Sequence, residues 1–305
     1  MDKPQILYKY RNICDNTEKI LSEQKVWLSK PENLNDPFEC SIANYSEKVK
    51  EQLTKMFKSV KVAMFCIQCK RSIDNGNSLF GLKRKALKVL LKKMATKSID
   101  RQYKMLNDII HNEFGFYLSS AHQLFKGFED RLSSSGIFSL SATDTNQLMW
   151  AHYGGEHRGI AIGFELIDGC KLANDNYCFP INYCDNLPKF NPEELTTQSI
   201  MKFGGDNPNI KLKIPFDDPI FRKCISTKPI DWEYEKEWRY IEESDGLHPF
   251  PGKLSEIIFG LRCSDADRQK YMKLADTHFE YPIRFYEIVR RPNSNQIEKK
   301  LLIIK

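Results

Sequence analysis

Four short constellations in this chain carry side chains able to do chemistry. Glu235 and Glu237 stand two residues apart and are followed by Arg239, Ser139 and Ser141 share the same spacing, and Arg11 closes an apolar run that starts at Ile6. Trp150, His152, Tyr153 and His157 crowd a fourth stretch. Two carboxylates at i and i+2 of a strand face one side, which drives their acidities apart. Placed beside a developing cation, such a carboxylate stabilises a transition state more than a ground state. Histidine carries protons near neutral pH, which makes His152 a candidate general acid. Each constellation also has a plainer reading. Glu235 and Glu237 with Lys236 and Arg239 form a surface charge ladder. Trp150, Tyr153 and His157 form a wet-edged core cluster. Asn35 and Asp36 before Pro37 form a rigid corner.

Met149-Trp150-Ala151-His152-Tyr153, then His157-Arg158-Gly159 and an apolar strand, resembles domain-of-unknown-function family 2971. Leu7-Tyr8-Lys9-Tyr10-Arg11 together with Pro31 to Glu39, and Trp232 to Arg239, fit the same family, whereas the segment between Tyr45 and Leu132 matches it poorly. This resemblance implies a bacterial defence or toxin setting and brings no assigned reaction. A second similarity concerns order: Arg11, then Ser139-x-Ser141, then Glu235-x-Glu237 is similar to the arrangement in arginine-type ADP-ribosyltransferases. It implies NAD as substrate, Arg11 on the dinucleotide phosphates, the serine strand propping the glutamate, Glu237 stabilising the ribosyl cation and Glu235 positioning or activating the acceptor. Tyr8, Asn35, Asp36, Trp150, Tyr153, His157 and Arg239 complete the candidate NAD site. Because the amide is nearly isosteric, Glu237→Gln is expected to leave the fold intact. Two other classes stay open. One is an acid–base or metal-dependent nuclease built from His152, His157, Asp36 and Glu237; the other is a non-enzymatic sensor or antitoxin that recognises a ligand or a defence-system partner through an aromatic pocket.

The elements that must position these residues follow from periodicity. Ile6 to Arg11, Val26 to Ser29, Ile137 to Leu140 and Arg158 to Glu165 read as strands, with Phe38 to Asn44 extended as well. Asp144 or Thr145 caps a short helix over Gln147 to Tyr153, stopped by Gly154 and Gly155. Helices are expected over Ser46 to Val60, Leu79 to Lys97, Ile99 to His111 and Phe114 to Leu132, the second with Leu79, Leu82, Ala86, Leu90 and Met94 inward. Beyond Leu166, strands are expected at Tyr177 to Cys184, Glu256 to Gly260 and Pro282 to Val289, and a helix at Asp265 to Ala275. Pro192 to Met201 reads as a helix start, Phe203 to Pro215 as a long loop and candidate lid, and Ile225 to Ile241 as an extended segment on which Glu235, Glu237 and Arg239 share a face. The fold class is α+β: a mixed, largely antiparallel sheet core from residues 1–44 and 135–305, with a helical insertion over 45–134.

Composition narrows the classes further. The chain is 41% apolar and 28% charged, and it contains no run near the roughly 18 apolar residues of a membrane span. Its start, Met1-Asp2-Lys3-Pro4, is too polar for a secretory signal, so a cytoplasmic protein with no membrane contact is expected. The nine cysteines follow no framework and read as free thiols; Cys66-x-x-Cys69 lacks a second pair, so no metal is expected. From Lys48 to Lys104 there are 16 basic residues against three acids, a local balance of +13, while the rest of the chain stands at −7. Nucleic acid is the partner such a surface would meet, through counterion release. The expected outcome of an anisotropy titration with RNA and DNA is binding at low salt, weakening by about 0.7 to 0.9 log units per log unit of salt for each phosphate neutralised. No binding at low salt would reject the nucleic-acid surface.

Overall fold

The structure, a computed structural model, describes residues 3–41, 47–118, 120–189, 198–202 and 209–302. In chain order the helices are α1 (Asp15–Glu23), α2 (Glu47–Asp74), α3 (Arg84–Ala95), α4 (Ile99–Phe114), α5 (Ala121–Ser134), α6 (Gln147–His152), α7 (Pro219–Ile225) and α8 (Asp265–His278). The main sheet is built from β1 (Ile6–Arg11), β2 (Gly136–Ser141), β3 (Ile160–Glu165), β4 (Cys178–Pro180), β5 (Glu237–Glu242), β6 (Lys253–Phe259), β7 (Arg284–Arg290) and β8 (Ile297–Leu301). The protein is α+β, and the sheet is mixed and mostly antiparallel, in the order β8-β7-β6-β3-β1-β2-β5-β4. The β6–β7 pair is parallel, because α8 returns the chain between them. The chain divides into two compact units, one of residues 1–41, 132–187 and 223–305, the other of residues 42–131 and 188–222.

The sheet unit buries both faces. Leu7, Phe138, Leu140, Ile160, Ile162, Phe164, Trp238 and Tyr240 pack with Ile20 and Leu21 of α1 and with Tyr271 and Ala275 of α8. Tyr8, Tyr10, Ala161, Ile258, Ile288 and Ile297 pack with Met149 and Trp150 of α6. Strand alternation explains the split, since Leu7 and Tyr8 point to opposite faces. Asn146, rather than Asp144 or Thr145, caps α6: its side chain accepts from the Leu148 and Met149 amides. Trp150 is fully buried, donates its indole N–H to the Asp144 carbonyl at 2.8 Å, and meets Tyr10 edge-on at 5.0 Å. Gly154 must be glycine, because a Cβ there would lie 2.6 Å from the Trp150 ring.

The pairing of β1 with its two neighbours is unequal. Against β3 it pairs along its whole length, from Ile6↔Glu165 to Arg11↔Ile160. Against β2 it pairs at Tyr8↔Ser141 alone. Farther along β2, Ile137 exchanges backbone hydrogen bonds with Ser29, at the end of the strand Lys25–Leu28. The sheet therefore forks between β1 and β2. On β1, Lys9 and Arg11 follow Leu7 on the same side, so the positions that would have continued an apolar face present cations to the fork.

Several expected elements differ. Pro37 to Cys40 is a turn, with Cys40 at φ 53°, rather than extended chain; the remainder of that segment, from residue 42, lies outside the described residues. Of the expected helix start over 192–201, residues 192–197 are outside the described residues, and Gln198–Lys202 is a strand paired with Asn209–Lys213. Of the stretch expected as a loop and lid, Asn209–Lys213 is strand and residues 203–208 lie outside the described residues. Ile225 to Ile241 is broken: Ile230–Glu235 is a 3₁₀ helix, Lys236 is left-handed at φ 44°, and β5 begins only at Glu237. In the second unit α2 runs on to Asp74, and Leu87 and Met94, not Ala86, are the buried positions of α3. Among the described residues no helix is long and apolar enough to cross a membrane, and all nine cysteines are free thiols. Trp150→Ala is expected to cost about 3–5 kcal/mol, the range for emptying a buried aromatic site. Urea denaturation measures it, and a loss below about 1 kcal/mol would contradict a core role.

Candidate active site

The fork is a cavity of about 390 Å³, in the size range of small-molecule sites. Lys9 and Arg11 line it from β1, Ser139 and Ser141 from β2, Met149, His152 and Tyr153 from α6 and its end, and Asn33 to Asn35 from the loop after Lys30. Glu39, Lys228, Glu235 and Glu237 form its floor. Backbone geometry makes the opening: where β2 has no strand partner on this side, the Ser139 carbonyl accepts from Lys9 Nζ at 2.8 Å. The same ammonium lies 4.7 Å from the centre of the Phe138 ring.

The floor is a network of buried ions. Lys228 Nζ reaches Glu39 Oε1 at 3.0 Å, Glu235 Oε2 at 2.6 Å and Glu237 Oε2 at 3.2 Å. Arg239 Nε meets Glu237 Oε1 at 2.9 Å, its Nη2 also contacts Glu39, and its Nη1 donates to the Ile225 carbonyl at 2.7 Å. All five side chains are buried. Two cations against three carboxylates satisfy the geometry that a buried charge requires and leave one negative charge in excess. Burial alone would push the Glu237 carboxyl up, but Arg239 and Lys228 outweigh it and hold the group down at about 2. A hydrogen bond from the Ser139 side chain adds to that pull. Burial and the neighbouring Glu237 push the Glu39 carboxyl up against the pull of its cations. Lys228 loses by burial and gains more from Glu237, Glu39 and Glu235, so its ammonium stays charged. Half-buried Lys9 is pushed down to about 7, by burial first and then by Arg11, with Glu237 and Glu235 opposing.

A hydrogen-bond chain leads outward from this floor. Tyr153 Oη donates to Glu235 Oε1 at 2.6 Å and accepts from Asn35 Nδ2 at 2.7 Å. Burial and Glu235 raise the Tyr153 phenol, which keeps it a donor. Ser141 Oγ donates to the Glu235 carbonyl at 2.6 Å, tying β2 to the 3₁₀ turn, and the Asn146 amide ties α6 to the Tyr234 carbonyl at 3.0 Å. Arg11 Nε is buried on the cavity wall with no hydrogen-bond partner, and burial pulls its guanidinium down.

The sequence candidates fall into three groups. Tyr8, Arg11, Asn35, Ser139, Ser141, His152, Tyr153, Glu235 and Glu237 line one cavity. Arg239 stands behind it, 0% exposed and engaged by Glu237, Glu39 and a carbonyl, so it orders the floor and has no free edge for a ligand. Trp150, Asp36 and His157 are not among the lining residues. Trp150 is core; Asp36 makes the corner, its Oδ1 accepting from the Phe38 amide at 2.9 Å. His157 sits in a tight turn at φ 69° with Glu156 at φ 54° before it. Glu235 and Glu237 converge through Lys228 and not as neighbours on a strand face, and their burial rules out the surface ladder. The expectation that Glu237→Gln leaves the fold intact is also corrected, because the carboxylate holds two buried cations. Lys228, Lys9 and Glu39 had no assigned role in the sequence; Lys9 and Glu39 stand within the segments that carry Arg11 and Asp36, but Lys228, beside Pro229, carried no signal.

Residues 149–240 match the model of a family described as a protein of unknown function, DUF2971. The match covers α6 from Met149 onward, β3, β4 and the segment from Lys228 to Arg239, and so most of the cavity floor. No curated protein and no solved structure matches the chain.

The lowered pKa of Glu237 fixes a pH dependence. A carboxyl lowered from 4.5 to about 2 on folding adds stability that is complete above about pH 4.5 and is lost as pH falls toward 2. Glu237→Gln is therefore expected to lose about 3 kcal/mol at pH 7, as for a buried pair robbed of one partner, and to converge on the wild type in acid. Urea denaturation between pH 7 and pH 2.5 measures both; a constant difference across that range would contradict the ionic role.

Proposed function

We propose that this domain of unassigned chemistry binds NAD in the forked cavity and transfers its ADP-ribose to protein or nucleic acid, in keeping with a toxin-type or defence protein. The observation that carries the reading is adjacency. The strands bearing Arg11, Ser139 with Ser141, and Glu237 are β1, β2 and β5, side by side in the sheet, and all four side chains line one cavity. Three motifs spread over more than two hundred residues of sequence need not meet; that they line one cavity supports a common task.

The chemistry follows from the groups present. Arg11, whose Nε has no protein partner, supplies positive charge for the diphosphate, and Lys9 beside it supplies a further N–H donor. Glu237 is ionised at any physiological pH and is fixed by Arg239, Lys228 and Ser139, so its charge needs no reorganisation during reaction. The bond between ribose C1′ and the nicotinamide nitrogen breaks, the electron pair leaves with nicotinamide, and the carboxylate stabilises the ribosyl cation. An acceptor oxygen or nitrogen then bonds to C1′ and gives its proton to Glu235, which Tyr153 and Lys228 hold in place.

One observation favours a second reading. Lys228 and Arg239 already offset most of the negative charge on the floor, which suits a module that recognises a nucleotide without turning it over. The nuclease constellation has no such support, because Asp36 and His157 stand off the cavity that His152 and Glu237 line. The test incubates protein with NAD and cell extract, then measures nicotinamide release and labelled protein or nucleic acid. At a temperature where circular dichroism shows both folded, Glu237→Gln is expected to lose about 100-fold to 1000-fold in rate. Arg11→Ala is expected to raise KM with less effect on kcat. Nucleotide binding without nicotinamide release would leave the binding module as the better reading.

A further inference from the structure

We infer that Trp27 is the base-stacking residue of the cavity, so that its ligand is a nucleotide lying with its ring on the indole and its phosphate on Arg11. Trp27 belongs to the strand Lys25–Leu28, which pairs with Gly246–Pro249. Its neighbours Val26 and Leu28 are fully buried, and alternation turns Trp27 the other way, where it remains 52% exposed and lines the cavity. Leu247, directly across the ribbon, is 56% exposed. The outward position of a half-buried strand is ordinarily polar, and an open indole there keeps a large apolar face in water. Among the described residues no ring or cation covers it.

The same cavity lining supplies the complementary chemistry. Arg11 Nε is buried without a partner, and Lys9 adds a second nitrogen donor. A planar ring on an aromatic face and an anion on a guanidinium define a nucleotide, whichever base it carries. Free pyrophosphate satisfies only the second half of that site, and a nucleoside only the first. The inference deepens the NAD reading and rests on it for the ligand class, though not on turnover.

The test is calorimetric titration of NAD, ADP and inorganic pyrophosphate into wild type, Trp27→Ala, Trp27→Phe and Arg11→Ala, with indole fluorescence followed in parallel. NAD and ADP are expected to quench emission in the wild type. Trp27→Ala is expected to weaken both by ~10-fold to 100-fold, as for loss of one stacked base, and to leave pyrophosphate affinity as it was. Trp27→Phe should restore most of the loss, and Arg11→Ala should weaken all three ligands. Equal NAD affinity in Trp27→Ala and wild type would overturn the stacking role while leaving NAD binding intact. Weakening of pyrophosphate in step with NAD would also overturn it, by showing that Trp27 acts only through structure. Absence of any nucleotide binding to the wild type would overturn this inference and the NAD reading together.

Discussion

Lys228 and Arg239 hold three glutamates buried on the floor of the forked cavity, and the arrangement of the cavity depends on them. Each contact has a structural reason to persist: removing either cation strands carboxylates that are almost wholly buried, and the cost of an unpaired buried charge far exceeds that of a surface pair. The network joins the turn at Glu39 to three successive elements far along the chain, the short strand Thr227–Lys228, the 3₁₀ turn ending at Glu235 and strand β5. The same ions that shape the floor also keep Glu237 charged. Structure and chemistry therefore draw on one set of contacts, and no substitution there tests one without touching the other.

The cavity itself arises from an incomplete strand pairing. β1 follows β3 along its whole length but meets β2 at a single position, and the chain fills the gap with side chains: Lys9 on the Ser139 carbonyl, Arg11 farther along, Ser29 closing the far end. Because the walls are strands packed on both faces, the lining residues are carried on rigid elements. The hydrogen bonds from Asn146 to Tyr234 and from Ser141 to Glu235 lock the helix wall and the strand wall to the floor.

Much of the fold was legible because period and punctuation agree in the apolar strands: Ile160, Ile162 and Phe164 read as one buried face and are one. The site was legible in its membership more than in its geometry. Arg11, Ser139, Ser141 and Glu237 could be grouped by their order along the chain, but the left-handed Lys236 that separates Glu235 from the strand is a single backbone choice with no residue signature, since lysine rarely adopts it. Trp150 shows the limit of residue type as a guide, because an indole with a polar edge serves a core as readily as a ligand, and only its bond to the Asp144 carbonyl decides. Lys228 was invisible for the opposite reason: an isolated lysine on a two-residue strand has nothing to distinguish it from the many solvated lysines of this chain until Glu39, Glu235 and Glu237 close around it.

The fork has a mechanical consequence. Between Tyr8 and the end of β1, one seam of the sheet is unstitched, and what spans it is a lysine that burial has made reluctant to stay protonated near neutrality. A molecule seated there would act as the missing stitch, bridging two strands that the backbone leaves apart. Its binding energy would then be felt by the whole sheet unit through mass action, raising the resistance of β1 and β2 to opening even where they make no contact with it.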